Sequence, residues 1–210
     1  MMDKLQDILT KHYSIKPTNI TLLREMIGIV YKIDTTTTSY VFKIYKYSEK
    51  EMVKRTMYVM NQLKTSTIAI PIIHQTNDHK YYACFHDQTD YIGLLFEYIK
   101  GTPPQKNTHI SQIANMLSSL HKKMDEVPNL NKYTLGQQFY VGRFIDLLKE
   151  KQYNKEKISK LEKIGDELFR VFHQYPLSFC HGDFHNENMI VSNNQSIYLI
   201  DFDSANYTNN

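Results

Sequence analysis

The segment CHGDFHNENMIVSNNQSIYLIDFD, residues 180–203, constrains this chain more than any other stretch. Two short apolar runs, NMIV at 188–191 and IYLI at 197–200, flank the polar SNNQ. Runs of that length bounded by turn residues read as paired strands. A hairpin closing around SNNQ brings Asn188 and Asp201, at its open ends, close together. An asparagine carbonyl and a carboxylate are hard oxygen donors, the type magnesium takes, and phosphates and waters usually complete its shell. Asp183, five residues before Asn188, is then placed to orient a hydroxyl and accept its proton. Taken singly, an Asp or Asn in such a loop makes a turn or a cap. Their joint spacing around two apolar strands is what favours a site. His181, His185 and Glu187 alternate nearby, but no cysteine pair or distant histidine cluster supports a transition-metal site. Asp203 either binds a second metal or supports the loop, and Asp201, at the end of the apolar strand, matches the metal position better.

The rest of the chain divides into unlike halves. Residues 3–13 predict a short amphipathic helix with Leu5, Ile8 and Leu9 on one side. From Ile20 three strands follow, ITLLRE, GIVYKID and SYVFKIYK, with the threonine run after Asp34 as a hairpin connection. Residues 49–63 read as a helix carrying Met52, Met60 and Leu63 inward, and further strands start at Pro71, Lys80 and Tyr91. KGTPP at 100–104 predicts a hinge. Beyond it, helical periodicity covers 110–124, 137–150 and 155–174, before short strands at 177–180, 188–191 and 196–200. The expectation is an α+β chain of two lobes. A strand-rich N-terminal lobe (1–99) and a mainly helical C-terminal lobe (105–210) flank a cleft, and clefts of that kind bind ligands.

HGDFHNEN followed by LIDFD resembles the aminoglycoside phosphotransferase and choline kinase superfamily, relatives of the protein kinases with the same two-lobed fold. LHKK at 120–123 is similar to that family's leucine–histidine pair at the end of a helix. The resemblance implies Asp183 as the catalytic aspartate, Asn188 and Asp201 as magnesium ligands, His181 as a loop support and Gly182 at a tight position. It also places the phosphate-binding lysine in the third strand, at Lys43; the alternative is a solvated strand lysine like Lys46. The acidic partner of that lysine falls to Glu51, with Glu49 next, although matching the helix end at Leu63 puts Thr56 there instead. Gly28 takes the place of the phosphate-covering loop, and FEYIKG supplies the hinge, where backbone groups of Glu97, Tyr98 and Ile99 meet an adenine or guanine edge. Relatives continue well beyond the metal-binding Asp, whereas this chain stops nine residues after Asp201, in the polar SANYTNN. The C-terminal lobe is therefore expected to be abbreviated: a trimmed family member, a truncated product, or a chain whose site a homo-oligomer or partner completes.

Composition limits the function classes. Hydrophobic residues are 41% and charged residues 22% of 210, as in a globular protein with one sizeable core or two modest ones. The net charge of +3, from 25 basic and 22 acidic side chains, does not suggest a nucleic-acid partner. No apolar run reaches membrane-spanning length, and two distant cysteines fit a reducing, cytoplasmic setting. The expected function is magnesium-dependent transfer of the terminal phosphoryl group of ATP or GTP to a hydroxyl of a small molecule. Aminoglycosides or other antibiotics, choline, amino alcohols and sugars are the candidate acceptors. A catalytically impaired nucleotide-binding or partner-binding module is the alternative. Transfer onto protein side chains is disfavoured, because the short C-terminal half lacks room to hold a polypeptide.

Overall fold

The computed structural model describes residues 2–25, 28–127 and 136–209. Period-two alternation builds its first lobe. In β3 (Ser39–Lys46), Phe42 and Ile44 face one side of the sheet while Lys43 and Tyr45 face the other. Helix α1 (Met2–Tyr13) covers the first side, burying Leu5 and Leu9 against Tyr31, Ile33, Phe42 and Leu95. Each such leucine contributes about 1.5–3 kcal/mol relative to exposure. Helix α2 (Lys50–Leu63) covers the second side, where Val53 meets Tyr45, Ile92 and Leu94. The remaining strands are β1 (Asn19–Glu25), β2 (Ile29–Asp34), β4 (Ile73–His74), β5 (Ala83–Asp87) and β6 (Thr89–Glu97). They form an antiparallel sheet in the order β1-β2-β3-β6-β4, with β5 also on β6.

The segment 100–104 is more than a connector. Gly101–Thr102 forms strand β7, which pairs with Val191 and Ser192 of β9 (Met189–Ser192). A Cβ on Gly101 would lie 2.1 Å from the Val191 carbonyl oxygen, so only glycine permits that approach. β9 pairs with β10 (Ile197–Leu199) in the expected hairpin, Ile197 opposite Val191 and Leu199 opposite Met189. On the far side of β10, the Leu199 amide donates to the Ala69 carbonyl at 2.9 Å. The hairpin is thus bonded on both flanks to segments from the first half of the chain.

The second lobe contains α3 (Lys106–Asp125), α4 (Arg143–Glu150) and α5 (Lys155–Phe172). The expected helix at 137–150 is divided: a wider π-type turn, Gln138–Gly142, precedes α4. The Asn154 side chain caps α5, accepting from the Lys157 amide at 3.0 Å. Leu120 and Met124 of α3 pack with Val59, Met60 and Leu63 of α2, and with Phe179, Met189, Leu199 and Phe202. Helix α2 therefore serves both cores. The terminal SANYTNN departs from the expected polar tail. Asn206–Asn209 forms β11, antiparallel to β8 (Leu177–Cys180), with Tyr207 opposite Phe179. Ala205 is buried and Tyr207 packs against the core, an alternation that the flanking asparagines obscure in the sequence.

Candidate active site

The loop after β8 begins with a constraint on the backbone. Gly182 has φ +79°, and a Cβ there would lie 2.1 Å from the Ser204 carbonyl oxygen. Gly182→Ala is expected to lower folding stability by more than about 1 kcal/mol. Urea denaturation measures this, and an unchanged midpoint would contradict the geometry. His181 is buried, and its Nε2 lies 3.0 Å from the Ile200 carbonyl. Burial pushes its imidazole below the ordinary range, so it stays neutral and Nε2–H is the donor. The Ile200 amide in turn donates to the Asn188 carbonyl at 2.9 Å. Through these two bonds the single residue Ile200 ties the loop, Asn188 and the backbone entering Asp201 together.

Asp183 is held from two sides. The Asn188 side-chain amide donates to the Asp183 carbonyl and to its Oδ2, both at 2.8 Å. With that nitrogen committed, the atom Asn188 has left for a cation is Oδ1. His185 Nδ1 accepts from the Glu187 amide at 3.2 Å, which puts its proton on Nε2, 3.3 Å from Asp183 Oδ1. Asp183 remains half exposed, open to an incoming hydroxyl.

Asp201 adopts the left-handed conformation (φ 61°, ψ 66°), which turns its carboxylate off the end of β10. Its Oδ1 lies 2.7 Å from Lys43 Nζ and its Oδ2 lies 3.1 Å from Arg24. Burial alone would raise this carboxyl, but the charges of Lys43 and Arg24 outweigh it and hold the group below the usual carboxylate range. Lys43 also meets Asp203 Oδ2 at 2.6 Å, and the Tyr45 hydroxyl donates to Asp203 Oδ1 at 2.9 Å.

These groups form the polar end of a cavity of about 270 Å³. Val30, Val41 and Met60 supply apolar wall, Ile190 and Ile200 lie on the hairpin side, and Glu97, Tyr98 and Ile99 line it too. Lys43, Asn188 and Asp201 thus come together, with Asp183 bonded directly to Asn188. Two expected residues do not join them. Glu51 is 81% exposed and pairs with Lys54 at 2.7 Å, because its position on α2 faces solvent. Gly28 is not among the described residues lining the cavity; it packs against β3, where a Cβ would come within 3.0 Å of the Ile44 carbonyl oxygen. Helix α2 instead lines the cavity with Met60 and with one polar residue, Thr56, whose hydroxyl donates to the Phe202 carbonyl at 3.3 Å. Sequence reading missed Arg24 and Tyr45. Tyr45 had a signal, lying two residues from Lys43 on the same strand face, whereas Arg24 depends on how β1 overhangs the cleft.

Among the described residues no group of three or more His, Cys, Asp or Glu side chains is arranged to hold a metal ion. Asp201 and Asn188 are instead a pair of hard oxygen donors lining the cavity beside Lys43 and Arg24, a donor type that suits magnesium.

A strand lobe over a helical lobe, with a lysine, an asparagine and an aspartate meeting in the cleft between them, defines a kinase-like phosphotransferase fold. The profile of the phosphotransferase enzyme family (APH) matches residues 27–209, and the chain belongs to that family. No curated protein matches the sequence. Among solved structures, an amicoumacin kinase (hAmiN, in complex with AMP-PNP, Ca2+ and Ami) is similar with a TM-score of 0.80 and 17% identity, covering 98% of this chain and 64% of that one. A microcompartment-associated aminopropanol kinase gives 0.78 and 14%, covering 99% and 70%. A spectinomycin phosphotransferase, APH(9)-Ia, in complex with ADP and spectinomycin gives 0.63 and 17%, covering 98% and 69%. The chain therefore spans about two thirds of the length of these structures. Among the described residues no helix is long and apolar enough to cross a membrane.

Proposed function

We propose that this chain binds a nucleoside triphosphate with magnesium and transfers its terminal phosphoryl group to a hydroxyl of a small molecule. The observation that supports this best is the convergence of Lys43, Asn188 and Asp201 in one cavity, with Asp183 fixed beside Asn188. The base lies at Glu97–Ile99 and the phosphates reach toward Lys43. Asn188 Oδ1 and Asp201 would hold magnesium, which would supply charge neutralisation on the phosphates. Arg24, which lies 3.1 Å from Asp201 Oδ2, would be beside the phosphates and able to meet their oxygens. Asp183 accepts the proton of the acceptor hydroxyl as the new O–P bond forms and the nucleoside diphosphate leaves. The similar structures are named for amicoumacin and aminopropanol kinases and a spectinomycin phosphotransferase. The acceptor class carried to this chain is accordingly a hydroxylated small molecule of the antibiotic, amino-alcohol or sugar kind, met in the cytoplasm.

A second reading also has an observation behind it. On α5, Ile164, Leu168, Val171 and Phe172 are each 42–53% exposed and form an apolar stripe. A nucleotide-binding or partner-binding module without turnover would use such a stripe for association. Calorimetric titration of the chain with ATP and GTP, each with and without Mg²⁺, tests the main reading. Magnesium-dependent binding, with nucleoside diphosphate released when an acceptor is added, is expected; binding without release would favour the nucleotide-binding form of the second reading, and no binding of either nucleotide by a folded chain its partner-binding form.

A further inference from the structure

Lys43 is buried and must keep a carboxylate partner. It has two, Asp201 and Asp203. Asp201 is the one the proposed function gives to magnesium. Helix α2 cannot supply a replacement: Glu51 is paired with Lys54 at the surface, and Glu49 accepts from the Lys46 amide at 3.1 Å. The α2 residues that line the cavity are Thr56 and Met60, neither of them an acid. We infer that Asp203 is the standing anchor of Lys43, a positioning residue that replaces a helix-borne acid with one carried by the loop after the metal-binding aspartate. The inference rests on the reading of the cleft as a nucleotide site.

The geometry is that of a built anchor. Asp203 uses both oxygens, Oδ2 toward Lys43 at 2.6 Å and Oδ1 toward the Tyr45 hydroxyl at 2.9 Å. Lys43 and Tyr45 stand two residues apart on one face of β3, so a single carboxylate receives both donors. Tyr45 is 1% exposed, and burial, then the charge of Asp203, pushes its phenol well above the ordinary range. It therefore remains a donor at any working pH. The loop backbone is fixed from α2: Arg55 Nη2 donates to the Asp203 carbonyl at 2.8 Å and Thr56 to the Phe202 carbonyl. Helix α2 thus holds the lysine indirectly, by gripping the loop that carries its carboxylate.

The test uses the full chain and the near-isosteric Asp203→Asn, with thermal melting to establish folding. In wild type and variant, Lys43 is labelled with trinitrobenzenesulfonate and followed by mass spectrometry, and MgATP affinity is measured by calorimetry. Lys43 labelling is expected to speed up severalfold in Asp203→Asn, and MgATP affinity to fall about tenfold, the size of one charged hydrogen bond. Adding Thr56→Glu to that variant returns an acid to α2 and is expected to restore most of both. Unchanged labelling overturns the anchor whether or not nucleotide binds. A variant in which magnesium no longer improves ATP binding also overturns it, making Asp203 a metal ligand. If wild type binds no nucleotide, the proposed function fails, while the labelling comparison still decides the pairing.

Discussion

Asp183→Ala is expected to lower kcat by about 10³-fold while changing MgATP affinity by no more than about twofold. The separation follows from what each group holds. Asp183 is not among the described residues lining the nucleotide cavity, and its carboxylate is half exposed. Truncation removes the contact between Asn188 and Oδ2 but leaves the second bond of Asn188, to the Asp183 backbone carbonyl at 2.8 Å. Asn188 also keeps its own carbonyl bond to the Ile200 amide. The proposed metal ligand therefore stays in place while the proton acceptor is lost. Calorimetry gives the affinity, and an assay of nucleoside diphosphate release in the presence of acceptor gives kcat. Full phosphoryl transfer by the variant would sink the assigned mechanism.

Asp201→Ala has the opposite signature. This carboxylate lies between Lys43 and Arg24, and those two charges keep it ionised despite its burial. Its loss removes the charged member of the two-ligand set and leaves two cations facing the phosphates. The gain in ATP affinity that magnesium brings to the wild type is expected to vanish, with MgATP binding at least about 100-fold weaker. The fold should persist, because Lys43 keeps Asp203. Removing one member of a buried ion pair otherwise costs about 3–5 kcal/mol, so melting of the variant also reports on that second contact. A variant whose ATP affinity still rises with magnesium as in wild type would mean that Asp201 is not the ligand.

The parts of this molecule that were legible from residues alone are those in which local pattern and chemistry agree. The β9–β10 hairpin is one: two apolar runs around SNNQ can pair in few ways, and pairing them puts Asn188 opposite Ile200, next to Asp201. The amphipathic α1 is another, since Leu5 and Leu9 fall on one helical face and both are buried. Illegible features depend on partners distant in sequence. β7 exists because Gly101 can approach Val191, and nothing in KGTPP announces that contact. β11 exists because it pairs with β8, a segment well upstream of it. The partner of Lys43 was sought on the helix after its strand, where charge and spacing allow Glu51. The rotation of α2 decides otherwise, turning Thr56 inward and Glu51 out. Glu51 and Thr56 lie about 140° apart around the helix, and which of them faces inward is invisible when a helix buries contacts on two sides, as α2 does between both cores.

The bond pattern β7–β9–β10 continues from the linker after Ile99 to the threshold of Asp201 through backbone hydrogen bonds alone. On the proposed function, it makes the base-binding backbone and the metal-binding pair two marks on one ruler. Lys43 and Arg24 descend from that lobe onto only the far mark. A ligand anchored by its base is therefore measured by its length. A nucleoside monophosphate is expected to gain less from magnesium than the triphosphate, whose added phosphates reach further along that scale.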